Sequence, residues 1–450
     1  MRALTDRNQH AVTIDIDQDR INLLKLENLR EYVPALCADA RRPEHLVEAG
    51  LKHSLCAGVV ALTNVNETNL KIAIASKLMH PEIRVICRAD SHDIEANMAS
   101  FGTDHIYDPF DTFALYLLTA IQAPCLTLMH EWLTGLSGDR LKDPIYPPAS
   151  GLWILCGFGR FGKAVYNHLK RQEGLDLIVV EATPERTGTP EEGFVAGRGT
   201  EAETLEAAKV NNAVGIIAGT NHDVNNLSIL LTAEEMNPKI FSILRQELAV
   251  NQHLSSAMKP DLLMDHTKII TSRILENLTT PLTGHFLRAA RAKPEQWASI
   301  LVSRIIALLD DEVPTTWVLS VRKDKTPAVW DQLRNNQDVL LGDLMRSTTN
   351  HLVNLPCIPL LLQRRRKLHL LPDEAMPLKF GDRILFCGRD RARNRMNLIC
   401  STQEKLHFSQ TGETRSDGWL WNLLFDPNQE KQASMLDRIR KHDARKSATR

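Results

Sequence analysis

No excess of charge of either sign runs through this sequence: 54 Lys and Arg stand against 55 Asp and Glu, a formal net charge of −1. Such a chain sets up no global field that draws nucleic acid or a membrane surface, so any basic contact surface has to be local. The local candidates are Arg364-Arg365-Arg366-Lys367 and the tail 429–450, with seven Lys/Arg against three Asp/Glu. Both read as a solvated face or a frayed terminus. Cys-x-x-C and His-x-x-x-His spacings are missing, which argues against a zinc site. The eight cysteines are scattered among mostly apolar neighbours and read as reduced core residues of a cytosolic protein. Residues 1–10 carry charge and no apolar run, so a signal peptide is not expected. The longest apolar stretch, 113–133, is broken by Gln122, Pro124, His130 and Glu131, and 352–362 is too short to span a bilayer.

What the chain does contain is a duplication. Sliding it by 157 residues lays Ala61-Leu62-Thr63-Asn64 on Ala218-Gly219-Thr220-Asn221, Asn69-Leu70 on Asn226-Leu227 and Arg88 on Arg245. The same offset pairs Pro81 with Pro238, Asp104 with Asp261, Asp108 with Asp265 and Pro124 with Pro281. Upstream the offset becomes 166, placing Asp15 and Arg20 on Glu181 and Arg186. Each copy alternates short apolar runs with helix-length segments, so the expected class is α/β, with two tandem Rossmann-type doubly wound parallel sheets. In the second copy strands are expected over 152–156, 177–180, 193–196, 214–218, 240–244 and 261–264.

The first of these strands runs into Gly157-Phe158-Gly159-Arg160-Phe161-Gly162, a helical run follows, and Glu181 ends the next strand 19 residues after Gly162. A glycine fingerprint alone is weak evidence; between a strand and a helix, with an acidic residue at that distance, it predicts a dinucleotide site. Gly157 makes the tight turn, Gly159 lets a pyrophosphate approach, Gly162 lets helix pack on strand, and the helix N-terminus binds phosphate. In the first copy a matching fingerprint would fall before residue 1. A longer parent chain, a misassigned start and a lost phosphate loop stay open as explanations.

These residues resemble the RCK or KTN (TrkA-N-like) domains that regulate potassium channels and potassium uptake systems. In the first copy the match includes Thr13-Ile14-Asp15, Ala38-Asp39-Ala40, the run 62–69 and Val85-Ile86-Cys87-Arg88; in the second, 157–162, Val180-Glu181, Gly197-Arg198-Gly199-Thr200, Gly219-Thr220-Asn221 and Leu244-Arg245. The resemblance implies a first domain over 1–112, a helical crossover over 113–150, a second domain over 151–275, a second crossover over 276–311, a β-rich α+β lobe over 312–400 and a tail over 401–450. About 35 residues separate the two Rossmann units, too few for the small lobe usual in soluble uptake subunits. The layout therefore resembles the tandem gating module of a potassium channel.

By the same resemblance the ligand cleft draws on Gly157, Phe158, Gly159, Arg160, Phe161, Gly162, Glu181, Arg198, Gly199, Thr220, Asn221 and Arg245, and in the first copy on Asp15, Asp39, Thr63, Asn64 and Arg88. Arg88 and Arg245 read either as phosphate ligands or as members of structural pairs; Thr63-Asn64 and Thr220-Asn221 either line the cleft or cap a helix. Arg198 departs from the family's Gly-Asp-Ala and offers a charge to an extra phosphate. Glu181 weighs against a 2′-phosphate, so NAD(H), ATP, ADP or AMP is expected over NADP(H). Asp104, Asp108 and Asp111 read as helix caps in preference to a divalent-cation site.

The expected function is a cytoplasmic nucleotide sensor at the inner face of the membrane. It would be homo-oligomeric and partnered with a potassium channel pore or a transporter's membrane subunit, with no nucleic-acid partner. Pro124 and Pro281 are candidate hinges. An NAD(P)-dependent oxidoreductase is the alternative, weakened by the expected lack of a Tyr-x-x-x-Lys pair, of a convincing His/Asp couple and of a separate substrate domain.

Overall fold

The structure is a computed structural model that describes residues 1–5, 9–89, 92–135, 140–141, 143–246, 257–279, 281–309 and 312–413. The basic tail 429–450 lies outside these residues. Two compact units divide the chain, Met1–Trp317 and Val318–Arg450.

The second copy holds a complete sheet. Strands β6 (Gly151–Cys156), β7 (Leu175–Glu181), β8 (Phe194–Ala196), β9 (Ala213–Ala218), β10 (Phe241–Gln246) and β11 (Leu262–Asp265) lie in the order β11-β10-β9-β6-β7-β8. Every pairing among them is parallel. Trp153, Ile154, Leu155, Ile216 and Ile217 are buried without an alternating polar face, as expected where helices cover both sides of a parallel sheet. Leu205, Ile229, Leu230 and Ala233 pack on one side, on Ile154, Ile216 and Leu244. Phe161, Val165 and Leu169, from the helix Arg160–Leu169, pack on the other, on Trp153, Leu155 and Ile243.

Among the described residues the first copy supplies five strands: β1 (Thr13–Asp15), β2 (Ala35–Cys37), β3 (Val59–Ala61), β4 (Val85–Arg88) and β5 (His105–Tyr107). They form two separate parallel sheets, β1-β2 and β3-β4-β5. At the offsets of the duplication β1 falls on β7, and β3, β4 and β5 fall on β9, β10 and β11.

Each copy lends a helix to the other. The helix Pro109–Gln122 starts at Asp108, whose carboxylate accepts from the N–H groups of Phe110 at 2.7 Å and Asp111 at 3.4 Å, with Pro109 in the first turn. Its stripe of Phe110, Phe113, Leu117 and Ile121 packs into the second copy, against Trp153, Phe161 and Leu169. The equivalent helix of the second copy, His266–Thr279, lays Ile270 and Ile274 against Ile86, Val60 and Tyr107 of the first. Pro124 and Pro281, expected to kink or end helices, stand where one helix gives way to the next: Pro109–Gln122 ends and Pro124–Thr134 begins, and Pro281 opens Pro281–Ala290.

The C-terminal unit is built on a four-stranded sheet in the order β12-β15-β13-β14, with β12 at Thr315–Ser320, β13 at Cys357–Arg364, β14 at Lys367–Leu370 and β15 at Arg383–Gly388. β13 pairs antiparallel with both β14 and β15. Two details differ from the sequence reading. Arg364 is no solvated charge: its Nε and Nη2 hold the buried Asp382 carboxylate at 2.9 and 2.6 Å, and Nη2 also donates to the Pro377 carbonyl. Residues 401–411 are no tail either, since the helix Gln403–Thr411 follows Asp390–Ser401 and buries Leu406 and Ser409. Local charge and polarity in the sequence suggest exposure; in the fold a buried carboxylate and an apolar helix face supply the partners.

Candidate nucleotide site

The chain leaves β6 and β9, adjacent parallel strands, toward opposite sides of the sheet, so a crevice opens beyond their carboxyl ends. Gly157 turns the chain there with φ +100°, and a Cβ on it would stand 3.2 Å from the Gly219 carbonyl and the Thr220 nitrogen. The two loops touch, and the Gly219 N–H donates to the Cys156 carbonyl at 2.9 Å. Gly162 brings the helix onto the strand: a Cβ on it would lie 2.0 Å from the Gly157 oxygen. Gly159 differs. It caps the helix Arg160–Leu169 without a side-chain hydrogen bond, the first turn carries no acidic residue, and a Cβ on it would meet nothing within 4 Å. Open space in front of uncapped N–H groups at the positive end of a helix suits a phosphate group.

Glu181 ends β7 beside this loop and is 8% exposed. Its Oε2 accepts from the Phe158 N–H at 2.6 Å, and its Oε1 accepts from the Thr183 N–H at 2.9 Å and the Thr183 hydroxyl at 3.1 Å. A carboxylate offers about four acceptor sites, so one remains for a ribose hydroxyl. Gly199 lies under the crevice, its Cβ position 2.8 Å from the Cys156 sulfur, while Arg198 next to it is exposed.

Thr220, Asn221 and Arg245 are all engaged by other residues of the chain, although Asn221 itself is exposed. Asn226, fully buried, accepts from the Thr220 N–H and hydroxyl and donates to the carbonyls of Thr220 and Arg245. Arg245 is 3% exposed; its Nη1 donates to Asn221 Oδ1 at 2.8 Å and to the Gly219 carbonyl at 3.2 Å. Its guanidinium sits over the rings of Phe110 and Phe161 at 5.1 and 5.2 Å, while exposed Arg160 lies over Phe110 at 5.6 Å. Arg245 is therefore a buried brace beneath the loops, and the first copy's Phe110 completes it. The sequence reading placed Asn69 and Asn226 in the repeat but gave them no role in the site, and it passed over Phe110, whose role depends on the helix exchange.

The first copy repeats the brace. Asn69 bonds Thr63 and the Arg88 carbonyl, and Arg88 Nη1 donates to Asn64 Oδ1 at 2.9 Å. Asp15 accepts from the N–H two residues on, as Glu181 does. Asp39 grips Arg41, and hydrogen bonds from that guanidinium hold its carboxyl at about 2, below the ordinary 3.8.

The three aspartates weighed for a cation are spread over separate tasks: Asp104 pairs with Lys77 at 2.8 Å, Asp108 caps its helix and Asp111 bonds His168 at 2.7 Å. Among the described residues no group of three or more His, Cys, Asp or Glu side chains is placed to hold a metal ion. The sequence reading took a Tyr-x-x-x-Lys pair to be absent, but that spacing does occur, at Tyr166 and Lys170. Lys170 Nζ lies over the Tyr166 ring at 5.4 Å, about two helical turns from Gly159. Tyr166 is 7% exposed and packs edge-on against Phe158, so it belongs to the helix's packed face, while Lys170 is exposed.

With this geometry in view, residues 1–109 and 153–261 each match the TrkA-N domain. The chain carries two TrkA-N domains. A potassium channel protein 1 of Methanocaldococcus jannaschii is 26% identical over 114 residues, 24% of this chain and 32% of that protein. A Trk system potassium uptake protein TrkA homolog of Pyrococcus abyssi is 31% identical over 137 residues, 28% of this chain and 60% of that protein. The matched part is 21% of an uncharacterized protein of Methanothermus fervidus, 31% identical to this chain, so this TrkA-N chain spans only a minor part of several relatives. Among solved structures, the GsuK channel bound to NAD aligns over 88% of this chain and 75% of its own with a TM-score of 0.50 at 13% identity, a likeness of fold. Among the described residues no helix is long and apolar enough to cross a membrane.

Proposed function

We propose that this chain is the nucleotide-sensing regulatory module of a potassium channel or potassium transport system, working at the cytoplasmic face of the membrane beside a pore or transporter subunit and as a homo-oligomer. The observation that carries the reading is the second copy's cleft. An uncapped helix N-terminus faces open space at Gly159, and Glu181 stands beside it with acceptor capacity left. NAD(H) or an adenine nucleotide fits this cleft, with phosphate at the helix N-terminus and ribose at Glu181. When bound, such a group supplies charge and contact area, and the chain's own residues do the rest.

Coupling follows from packing. The helix whose N-terminus would cradle phosphate packs on the first copy's helix Pro109–Gln122, and the guanidiniums of Arg160 and Arg245 both lie over the Phe110 ring. A ligand that prefers one setting of this helix pair shifts the balance between settings. A useful shift requires a differential affinity on the order of a few kcal/mol. In this reading the nucleotide is an effector and is not consumed. Calorimetry of the purified chain should show saturable binding of NAD(H), ATP, ADP or AMP, and NADH absorbance should stay constant with candidate carbonyl substrates. Turnover of NADH would hand the cleft to the oxidoreductase reading; failure of every nucleotide to bind would remove the sensor.

A further inference from the structure

The near-neutral total charge of the chain hides one strongly basic end. In the C-terminal unit the sheet order β12-β15-β13-β14 places the turn that leads into β15 between the turn that leaves β12 and the tip that joins β13 to β14. Hydrogen bonds gather all three at one end of the sheet. The Asp382 carbonyl accepts the Val321 N–H at 2.8 Å, and the Gly381 N–H donates to the Val321 carbonyl at 3.0 Å. The Asp382 carboxylate accepts the Lys379 N–H at 2.9 Å and the Arg364 guanidinium, and Gln363, next to Arg364, pairs with Arg383. Residues 321–326, 364–367 and 379–383 together hold nine Lys and Arg against two Asp. Both aspartates are answered within the turns: Asp382 is buried on Arg364, and Asp324 pairs with Arg322 at 3.0 Å. The other seven Lys and Arg, nine less those two arginines, are all exposed. On the middle turn stands Phe380, 50% exposed, its ring centroid 4.4 Å from that of half-buried Trp330.

We propose that this end of the C-terminal unit is a docking surface for a bilayer that contains anionic lipid. A basic cluster of this size is drawn to the negative surface potential of such a bilayer, and the long Lys and Arg stems let the charged heads reach phosphate while staying hydrated. Phe380 decides between polyanions. A half-exposed ring on the middle turn, backed by Trp330 and ringed by cations, suits the headgroup level of a bilayer, where aromatic rings settle. A nucleic acid would engage the same ring only by stacking an open base on it. The contact is peripheral: charges meet phosphates and one ring enters the interface. Because the excess charge lies at one end of the sheet, the attraction also fixes which side of the unit faces the lipid.

The test mixes the purified full chain, without nucleotide, with phosphatidylcholine vesicles that contain or lack phosphatidylglycerol, and measures co-sedimentation. The chain should sediment with the anionic vesicles, stay in the supernatant with the neutral ones, and be released as salt is raised. Arg365→Asn/Arg366→Gln/Lys367→Gln should weaken binding by about tenfold or more; Asn is chosen because Arg365 has φ +54°. Phe380→Ser should weaken binding with no change of charge. Arg391→Gln/Arg393→Gln/Arg395→Gln removes as many exposed charges beyond the other end of β15 and should leave binding nearly unchanged. The proposal falls if anionic vesicles are not bound or neutral ones are bound equally well. It also falls if the two triple variants lose affinity equally, if Phe380→Ser binds like the native chain, or if the chain ignores vesicles and binds duplex DNA through these turns. Calorimetry with ADP on the same variants reads the second copy separately, so a failure of lipid docking and a failure of nucleotide binding are told apart.

Discussion

At the scale of single residues, the glycines of the second copy separate ligand binding from folding. Gly159 has extended backbone and open space where a Cβ would be, so Gly159→Val should fold and melt like the native chain while calorimetric affinity for NAD(H) or ADP falls by at least about tenfold, the side chain standing where phosphate approaches. Unchanged affinity would remove the site from this loop. Gly162→Ala tests the opposite: its Cβ would sit 2.0 Å from the Gly157 oxygen, so loop and helix have to separate. The expected cost is overpacking, roughly 1–3 kcal/mol in denaturant unfolding. In the proposed site Glu181 would carry the choice of cofactor. Its carboxylate is buried and already bonded to Phe158 and Thr183, so Glu181→Ala should weaken adenosine nucleotides and narrow the gap to NADP(H). A native protein that binds NADP(H) more tightly than NAD(H) would give the decision to exposed Arg198.

At the scale of elements, the helix exchange is what makes one body of two copies. Phe110 and Phe113 lie on one face of Pro109–Gln122 and bury against Phe161 and its neighbours. Phe113→Ala should cost roughly 3–5 kcal/mol, measured in denaturant. Phe110→Leu keeps most of the apolar contact but removes the ring from both guanidiniums, and should change nucleotide affinity more than stability. Equal effects on both would reduce Phe110 to a packing residue. How legible this was in the sequence varies with the range of the interaction. β6 to β11 could be read because buried parallel strands are continuous apolar runs, and the glycine loop because its turn, approach and packing each demand glycine locally. The helix exchange could not be read, because Phe110 and Arg245 meet through a chain reversal that no spacing encodes. Arg364 was misread for a related reason: a basic run looks solvated until the fold brings Asp382 to it. Removing that partner leaves a buried carboxylate uncompensated, so Arg364→Ala should destabilise the C-terminal unit by roughly 3–5 kcal/mol.

At the scale of the whole molecule, the cysteines form a set of reporters that distinguishes a local ligand effect from a general one. Burial pushes the thiols of Cys87, Cys156, Cys357 and Cys400 up to about 12 from an ordinary 9.0. The thiolate is the reactive form, so at pH 8 these positions should react with a thiol reagent only when the structure around them opens, whereas exposed Cys37 should react at once. The sign for stability follows from the same shift. As pH rises from 9.0 toward 12 the unfolded chain ionises first, so native stability falls across that window and is unaffected by these groups below it. Cys156 ends β6, with its sulfur against Gly199 and its carbonyl bonded to Gly219, so opening at Cys156 breaks the nucleotide cleft itself. Cys357 and Cys400 lie in the C-terminal unit. A nucleotide at about 100 times its dissociation constant should slow labelling of Cys156 by about 100-fold when opening is the pre-equilibrium, as read by peptide mass spectrometry at pH 8. Cys357 and Cys400 should keep their rates, because opening around them does not release the ligand. If they slow as much as Cys156, the nucleotide acts on more than the cleft between β6 and β9. If Cys156 does not slow at all, the cleft is not where the nucleotide binds.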